Sequence, residues 1–234
     1  MVRKTIGVLG GMGPAATVEL FARIVNNTSA KKDSEHISMI IVNDPSIPDR
    51  TEYILGNGIS PLPKLKENII KLINAGADVI VIPCMTAHSF ISELQLTSSI
   101  PIINGIELIE KYFMSIKRDI RKVGLLATTG SIQSGVFQKY LTKDIVTLDP
   151  FNQSKLMQII YGEEGIKAGN NNFKVIDEIN SLINHLVNME AQAIIVGCTE
   201  LGIVMNENNT KITIVDPITL LAKEAVKVGR GYIE

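Results

Sequence analysis

The chain contains two cysteines, Cys84 and Cys198, and each follows an apolar run that is typical of a buried strand. Cys84 follows DVIVIP and opens CMTAH, whereas Cys198 follows AIIVG and opens CTEL. A cysteine at such a strand end can be a core residue, a metal ligand or a reactive thiol. Because a thiolate is a capable base and nucleophile, the surroundings of each cysteine decide among these roles.

Those surroundings recur along the chain. Three blocks repeat in the same order about 115 residues later: GVLGGMG at 7–13 with GLLATTG at 124–130, LINAGADVIVIPC at 72–84 with LVNMEAQAIIVGC at 186–198, and IPIINGIELI at 100–109 with ITIVDPITLL at 212–221. This period is too long for a solenoid repeat and indicates a duplicated domain. The matched positions of the two cysteines favour a shared function over two independent core residues, which is the usual role of a lone cysteine.

Short runs rich in Ile and Val alternate with amphipathic segments. In the first half, the strand-like runs lie at 4–10, 37–43, 78–83 and 100–104. Segments 14–27 and 60–75 show the helical spacing of apolar residues. Pro14 and Pro61 suit a first helical turn, and Gly76 suits the position after a last one. The pattern predicts an α/β fold of two pseudo-symmetric domains, each a parallel sheet of about four strands flanked by helices.

The duplication also predicts a chemistry. In open parallel sheets, ligands bind outside the carboxyl ends of the strands, so two facing domains would bring both cysteines to one cleft. One thiolate and one thiol on opposite faces of a carbon acid could remove a proton and deliver another, which inverts the carbon. We expect Thr86 and Thr199 to cap the helices that follow, and the backbone N–H groups there to bind a substrate carboxylate. A disulfide between Cys84 and Cys198 is the alternative.

Composition argues against several other classes. The 234 residues are 45% hydrophobic and 20% charged, which predicts a packed globular protein. A net charge of -1 without a Lys/Arg block gives no reason to expect a nucleic-acid partner. The apolar runs are too short for a membrane span, and the scattered histidines show no metal-ligand spacing.

The N-terminus imitates a signal peptide, because Arg3 and Lys4 precede an apolar run. Three glycines in that run, Gly7, Gly10 and Gly11, favour a strand followed by a turn instead. We therefore expect a cytoplasmic protein with free thiols.

Four motifs together resemble the aspartate/glutamate racemases that use no pyridoxal phosphate, and among them most closely the aspartate racemases. These motifs are GVLGGMGP at 7–14, PCMTAH at 83–88, IKAG at 166–169 and GCTEL at 197–201. The resemblance covers essentially the whole chain. It implies no cofactor, a small acidic amino-acid substrate and a homodimer.

The resemblance also implies the domain division and the roles of residues. The first domain would comprise 1–103 plus 213–234, with the C-terminal helix packing back on it, and the second 104–212. Carried over by position, Cys84 and Cys198 are the two catalytic acid/bases of an enzyme that interconverts L- and D-aspartate, with glutamate as a second possible substrate. Arg50 and Lys167 match the basic residues that bind the side-chain carboxylate. The other expected substrate-binding residues are Met12, Met85, Thr86, Thr128, Thr129, Thr199 and Glu200.

One motif departs from the family pattern. The usual sequence at the first cysteine is Pro-Cys-Asn-Thr, and here Met85 replaces the asparagine. An amide that could hydrogen-bond the substrate is lost, so altered substrate preference is expected at this position. His88 and Glu200 are ambiguous: either could tune its neighbouring cysteine, His88 by favouring the thiolate if protonated, or could pair within its own helix.

Other functions fit parts of the pattern. Residues 11–16 match the dinucleotide fingerprint G-x-G-x-x-A, but Asp44 follows Gly11 by 33 residues instead of about 20. Hydantoin racemase and maleate isomerase share the scaffold, as does arylmalonate decarboxylase, which needs one cysteine rather than two. A non-catalytic protein that binds a dicarboxylate or nucleotide is the remaining alternative.

Overall fold

A computed structural model gives the structure of residues 2–116, 119–205 and 212–232. The chain divides into two compact units, Met1–Gly105 with Ile218–Glu234, and Ile106–Pro217. Each unit contains one parallel sheet with helices in the connections between strands. Within the described residues, none of the helices combines the length and the apolar character needed to cross a membrane.

The first unit begins with a strand and ends with the C-terminal helix. Its strands are β1 (Ile6–Gly10), β2 (Met39–Asn43) and β3 (Val79–Val81), and its helices are α1 (Pro14–Asn27), α2 (Arg50–Ile54), α3 (Leu62–Asn74), α4 (Ile91–Thr97) and, after the second unit, α11 (Pro217–Gly229). Short 3₁₀ helices cover Asp33–Glu35 and Thr86–Phe90. Helix α5 (Gly105–Ser115) starts at the last residue of this unit and continues in the second.

The second unit repeats the alternation. Its strands are β4 (Lys122–Leu126), β5 (Asp144–Thr147), β6 (Ala193–Val196) and β7 (Thr213–Val215), and its further helices are α6 (Thr129–Gln133), α7 (Val136–Tyr140), α8 (Pro150–Tyr161), α9 (Phe173–Asn188) and α10 (Leu201–Val204). A 3₁₀ helix covers Ile166–Ala168.

Both sheets are parallel, and the first three strands of each unit have the same order, which confirms the predicted fold class. The order is β2-β1-β3 in the first unit and β5-β4-β6-β7 in the second. The predicted fourth strand of the first unit, 100–104, is reduced to a bridge between Ile80 and Ile102. Pro101 explains the reduction, because proline has no N–H to donate to a strand ladder. Its carbonyl still accepts the Ile80 N–H at 2.9 Å.

The strands of the first unit and helix α3 are shorter than the sequence predicts. Helix α1 starts at Pro14 as expected, but α3 starts at Leu62 because Pro61 occupies the N-cap position. The predicted boundary at 213 differs as well, since residues 213–217 lie in the second unit. The reason is that β7 pairs with β6 there, with Ile214 opposite Ile194.

The loop after β1 needs glycine at position 11. Gly11 has a φ of +97°, a conformation that costs other residues about 1–2 kcal/mol. A Cβ at Gly11 would also lie 2.5 Å from the backbone nitrogen of Asp44, which follows β2. The two neighbouring strand ends can therefore approach only because residue 11 has no side chain.

A pair of alanine substitutions should separate these two effects. Gly56 has a φ of +83° with nothing within 4 Å of its missing Cβ. We expect Gly56→Ala to lower the free energy of unfolding by about 1 kcal/mol and Gly11→Ala by about 3 kcal/mol or more. Urea denaturation measures both, and equal losses would show that crowding at Gly11 contributes nothing.

Candidate active site

Cys84 lies just after β3, at the carboxyl edge of the first sheet. The residue is 6% exposed and its thiol is free. Its backbone carbonyl accepts two hydrogen bonds, from the Ala87 N–H at 3.2 Å and from Nδ1 of His88 at 2.9 Å. One backbone N–H and one imidazole side chain therefore hold the turn that carries the thiol.

His88 is neutral and structural. Its Nε2 accepts the backbone N–H of Gly105 at 3.0 Å, so the ring proton must lie on Nδ1, which donates to the Cys84 carbonyl. Burial lowers the pKa of His88 to about 4, against a weaker opposing effect of the bond to Cys84. The alternative in which a protonated His88 favours the Cys84 thiolate is therefore wrong, because a buried imidazole with one acceptor nitrogen in use carries no charge.

The expected cap at Thr86 is also wrong. The N-cap of the 3₁₀ helix Thr86–Phe90 is Met85, in a helical conformation, and it makes no side-chain cap bond. Met85 is 1% exposed. Its Cε lies 3.1 Å from the position that a Cβ would take at Gly105, beside Leu221 of α11. The Met85 side chain therefore packs in the interior of the first unit, and glycine at 105 makes room for it.

Arg50 and Met12, two predicted binding residues, are in contact. The Arg50 side chain donates to the Met12 carbonyl at 3.2 Å and to the Pro48 carbonyl at 3.1 Å, and Arg50 is only 6% exposed. Helix α2, which starts at Arg50, packs onto the 3₁₀ helix after Cys84 through the rings of Tyr53 and Phe90, whose centroids are 5.8 Å apart. The first unit thus holds a buried cation at the edge of the sheet where Cys84 lies.

Asp44, the acid considered for a dinucleotide site, is bound within the protein. Its carboxylate accepts from Nδ2 of Asn68 at 2.8 Å and from the Ser46 hydroxyl at 2.6 Å. These hydrogen bonds lower the pKa of Asp44 to about 2, that of Asn68 having the larger effect. Because both oxygens of the Asp44 carboxylate accept hydrogen bonds from the protein, they indicate a structural role for Asp44 in the loop after β2.

Cys198 lies in an equivalent turn of the second unit. Its thiol is free and the residue is 4% exposed. Its N–H donates to the Leu126 carbonyl at the end of β4, and its carbonyl accepts the Leu201 N–H, both at 3.1 Å. The bond from Leu201 repeats the one from Ala87 to Cys84, so the duplicated sequence has produced a duplicated turn.

Glu200 connects Cys198 to Lys167. The Cys198 thiol donates to Oε2 of Glu200 at 3.2 Å, the Thr199 hydroxyl lies 3.3 Å from the same oxygen, and the Lys167 ammonium pairs with Oε1. Four of the predicted site residues therefore form one cluster. The expected cap at Thr199 is wrong, because Glu200 holds the N-cap position of α10 and makes no side-chain cap bond.

The charges of this cluster shift each other's pKa values. Burial opposes ionisation of Glu200, which is 3% exposed, but the Lys167 ammonium and the hydrogen bonds hold the Glu200 pKa below its usual range. Burial raises the pKa of the Cys198 thiol well above its usual value, and the Glu200 carboxylate raises it further. In the structure as it stands, Glu200 is the carboxylate and Cys198 the thiol.

Thr128 and Thr129 lie in the loop after β4. The Thr128 hydroxyl caps α6 by accepting the Ser131 N–H at 3.2 Å. The Thr129 hydroxyl accepts from Nε2 of Gln153 at 3.2 Å, and its N–H lies 3.3 Å from the sulfur of Met157. Both partners belong to α8, and sequence reasoning missed them.

Gln153 holds this loop through two contacts, since its Nε2 also donates to the Ala127 carbonyl at 3.0 Å. The sequence offers one signal for it. Asp149 and Pro150 form an N-cap followed by proline at the first helical position, which predicts α8. Among the described residues, no group of three or more His, Cys, Asp or Glu side chains is arranged to hold a metal ion.

The fold and the two turns define a duplicated α/β protein with a buried, free thiol at the ligand-binding edge of each sheet. The sequence profile described as Asp/Glu/Hydantoin racemase matches residues 9–225. The chain therefore belongs to the Asp/Glu/Hydantoin racemase family.

Particular relatives cover nearly the whole chain. It is 27% identical to a broad specificity amino-acid racemase of Bacillus subtilis, over 97% of this chain and 99% of that protein. It is similar to the aspartate racemase of Picrophilus torridus, with 30% identity and a TM-score of 0.84 over 97% of this chain and 94% of the other. A glutamate racemase of Francisella tularensis shares the fold, with 16% identity and a TM-score of 0.70 over 99% of this chain and 84% of the other.

The buried state of His88 predicts a pH dependence of stability. Its folded pKa of about 4 lies below the usual 6.5, so folding favours the neutral ring. The stabilisation is fully present above pH 6.5 and is lost as the pH falls towards 4, with a total of about 3 kcal/mol. Urea unfolding between about pH 7 and pH 4 should therefore show this loss in the wild type and its absence in His88→Asn.

His36 provides the matched control, because it is only partly buried. His36→Asn should keep the pH dependence of the wild type between pH 7 and pH 4. A His88→Asn variant that lost stability with pH as steeply as the wild type would contradict the neutral, buried ring.

Proposed function

We propose that the protein is a cofactor-independent racemase that interconverts L- and D-aspartate by two-base proton transfer between Cys84 and Cys198. The observation that carries the proposal is the repeated turn, which presents a cysteine at the carboxyl edge of each parallel sheet. Membership of the Asp/Glu/Hydantoin racemase family supports the class of reaction.

The chemistry conserves protons. The thiolate of one cysteine takes the α-proton from one face of the substrate, and the thiol of the other gives its proton to the opposite face. The cysteines exchange protonation states in each turnover, so either enantiomer can enter. We expect the backbone N–H groups of the turns after Cys84 and Cys198 to bind the α-carboxylate.

An acidic side chain is favoured by the two cations. Arg50 lies at the edge of the first sheet, and Lys167 lies beside Cys198 through Glu200. A dicarboxylate needs a second anion site, and either cation suits a carboxylate. The similarity to an aspartate racemase over 97% of the chain supports the same substrate.

A racemase of broader specificity is the second candidate, and particular contacts favour it. Lys167 is already paired with Glu200, and Arg50 is already bonded to backbone carbonyls. The Met85 side chain, in place of an asparagine amide, packs beside Gly105. These contacts give the cations roles that need no acidic substrate, and a relative covering the whole chain is a broad specificity racemase.

The two-base mechanism predicts a solvent-isotope result. Either enantiomer of aspartate incubated in D₂O should acquire α-deuterium without added pyridoxal phosphate. Cys84→Ser and Cys198→Ser should each lower racemisation by about 10²–10⁴-fold, because each removes one acid/base. Each single variant should still exchange the α-proton of one enantiomer, whereas the double variant should exchange neither. Full racemisation by both single variants would sink the mechanism.

Lys167→Met should distinguish the two candidate substrate ranges. If Lys167 binds the side-chain carboxylate, the ratio of kcat/KM for aspartate to that for alanine should fall about tenfold or more. Loss of Lys167 also changes the charge around Cys198 through Glu200, but this change affects aspartate and alanine alike. The ratio of the two kcat/KM values is therefore insensitive to it. Lys174→Met, an exposed lysine of α9, should leave the ratio unchanged. An unchanged ratio in Lys167→Met would favour the broader specificity.

A further inference from the structure

The two cysteine turns share their backbone but differ in one acidic side chain. Two residues after Cys198 comes Glu200, whereas two residues after Cys84 comes Thr86. The hydrogen bond from the residue three positions on to the cysteine carbonyl is the same in both turns, so the acid is a difference between two otherwise comparable positions. A symmetric exchange of protons between enantiomers gives no reason for an acid beside one thiol alone.

The geometry around Glu200 fixes where the proton lies. Its Oε2 is 3.2 Å from Sγ of Cys198, a distance that suits a thiol donating to a carboxylate. A thiolate at this distance would face a second negative charge in a site from which water is excluded, and the repulsion would be large. The contact therefore requires a proton between sulfur and oxygen.

The Lys167 ammonium keeps Glu200 ionised. Lys167 pairs with Oε1, and the ring of Tyr161 lies under the Lys167 ammonium at 5.3 Å. From the neighbouring strand, Asp216 approaches Gly202, with its Oδ2 3.0 Å from where a Cβ would lie. Lys167 thus brings a positive charge to the Cys198 turn, whereas Asp216 brings a further acid close to α10.

The turn of Cys84 has no such acid. Within the described chain, no hydrogen bond of the Cys84 thiol is found, and His88, four residues further on, is neutral and bonded to the Cys84 carbonyl. Arg50, at this edge of the first sheet, is positive. The acids of the same edge are engaged elsewhere: Asp49 lies 4.0 Å from the Arg50 guanidinium, and Asp44 accepts hydrogen bonds from Asn68 and Ser46. The local charges of the first unit therefore do not oppose a thiolate, whereas those of the second unit do.

We propose that Glu200 is a positioning residue that keeps Cys198 protonated, so that in the free protein Cys198 is the proton donor of the pair and Cys84 the proton acceptor. This inference rests on the proposed two-base racemisation. Once Cys84 has lost its proton to solvent, it takes the α-proton of one enantiomer, and the Cys198 proton goes to the opposite face. The mirror enantiomer needs the reverse protonation state, which Glu200 disfavours.

The bias has a kinetic consequence. An enantiomer that binds only the minor protonation state has its apparent affinity reduced by the fraction of protein in that state. Because the equilibrium constant of racemisation is unity, kcat/KM must be equal in the two directions. The enantiomer with the higher KM must therefore show a kcat that is higher by the same factor, and Glu200→Gln should bring both ratios closer to unity.

The direct test reads the protonation of Cys198 without any turnover. In a Cys84→Ser protein, the ultraviolet absorbance of the thiolate reports Cys198 alone, after subtraction of a protein with both cysteines replaced by serine. Adding Glu200→Gln should lower the midpoint of thiolate formation by about one to three pH units, since it removes an adjacent negative charge. Glu164→Gln, which removes an exposed carboxylate from the loop of Lys167, should leave the midpoint unchanged.

Glu200→Asp covers the case in which Glu200→Gln does not fold. The shorter side chain withdraws the carboxylate from Sγ, so the midpoint should fall below that of the Cys84→Ser parent. Equal midpoints in the parent and the Glu200 variants would overturn the inference, as would a Cys198 thiolate already present at neutral pH in the parent. A shifted midpoint in a protein that does not racemise would support the role of Glu200 and refute the proposed function instead.

Discussion

Parallel pairing of the first strand with the third strand in each unit is the constraint on which the candidate site depends. Because β1 pairs with β3 and β4 with β6, the loops that follow these strands emerge at one edge of each sheet. The second and third strands of each sheet lie on opposite sides of the first strand, so the strand order reverses there. The loops at such a switch point leave a crevice between them. The bond from the Cys198 N–H to the Leu126 carbonyl shows the dependence directly, since the end of one strand holds the thiol loop of its neighbour.

The charged residues at these edges have structural duties as well as proposed chemical ones. Arg50 stabilises the loop after β1 through the Met12 carbonyl, and Lys167 compensates a nearly buried Glu200. Removing Lys167 would leave the buried Glu200 carboxylate without its counter-charge, which is destabilising. The proposed recognition of substrate and local stability would therefore depend on the same side chains at both edges.

The sequence was sufficient for features whose causes are local or repeated. Pro14 and the apolar spacing after it placed α1, and the recurrence of whole blocks revealed two units and drew attention to Cys84 and Cys198. Features that depend on contacts across the sheet were missed. The charge state of His88 depends on the N–H of Gly105, and the Thr129 loop depends on Gln153 from α8. Neither partner can be inferred from spacing alone.

The expected caps failed for a different reason. Threonine is a good N-cap only where its backbone is extended. Here the residue just before each short helix, Met85 or Glu200, is already in the helical region, so the chain turns without a side-chain cap. The missing fourth strand of the first unit follows from Pro101, which has no N–H to donate to a neighbouring strand. That its segment would lie at the sheet edge, where pairing is limited to one side, depends on the whole sheet and cannot be read from the local sequence.

The contrast between Thr86 and Glu200 bears on why the two halves are joined in one chain. An assembly of two identical halves would give both thiols the same neighbours, and any mutation would change both together. Fusion of the halves allows each to diverge alone, so an acid can be acquired beside one thiol and not the other. A chain with two covalently joined halves thus permits a difference in proton affinity between cysteines in comparable turns, which two identical halves could not have.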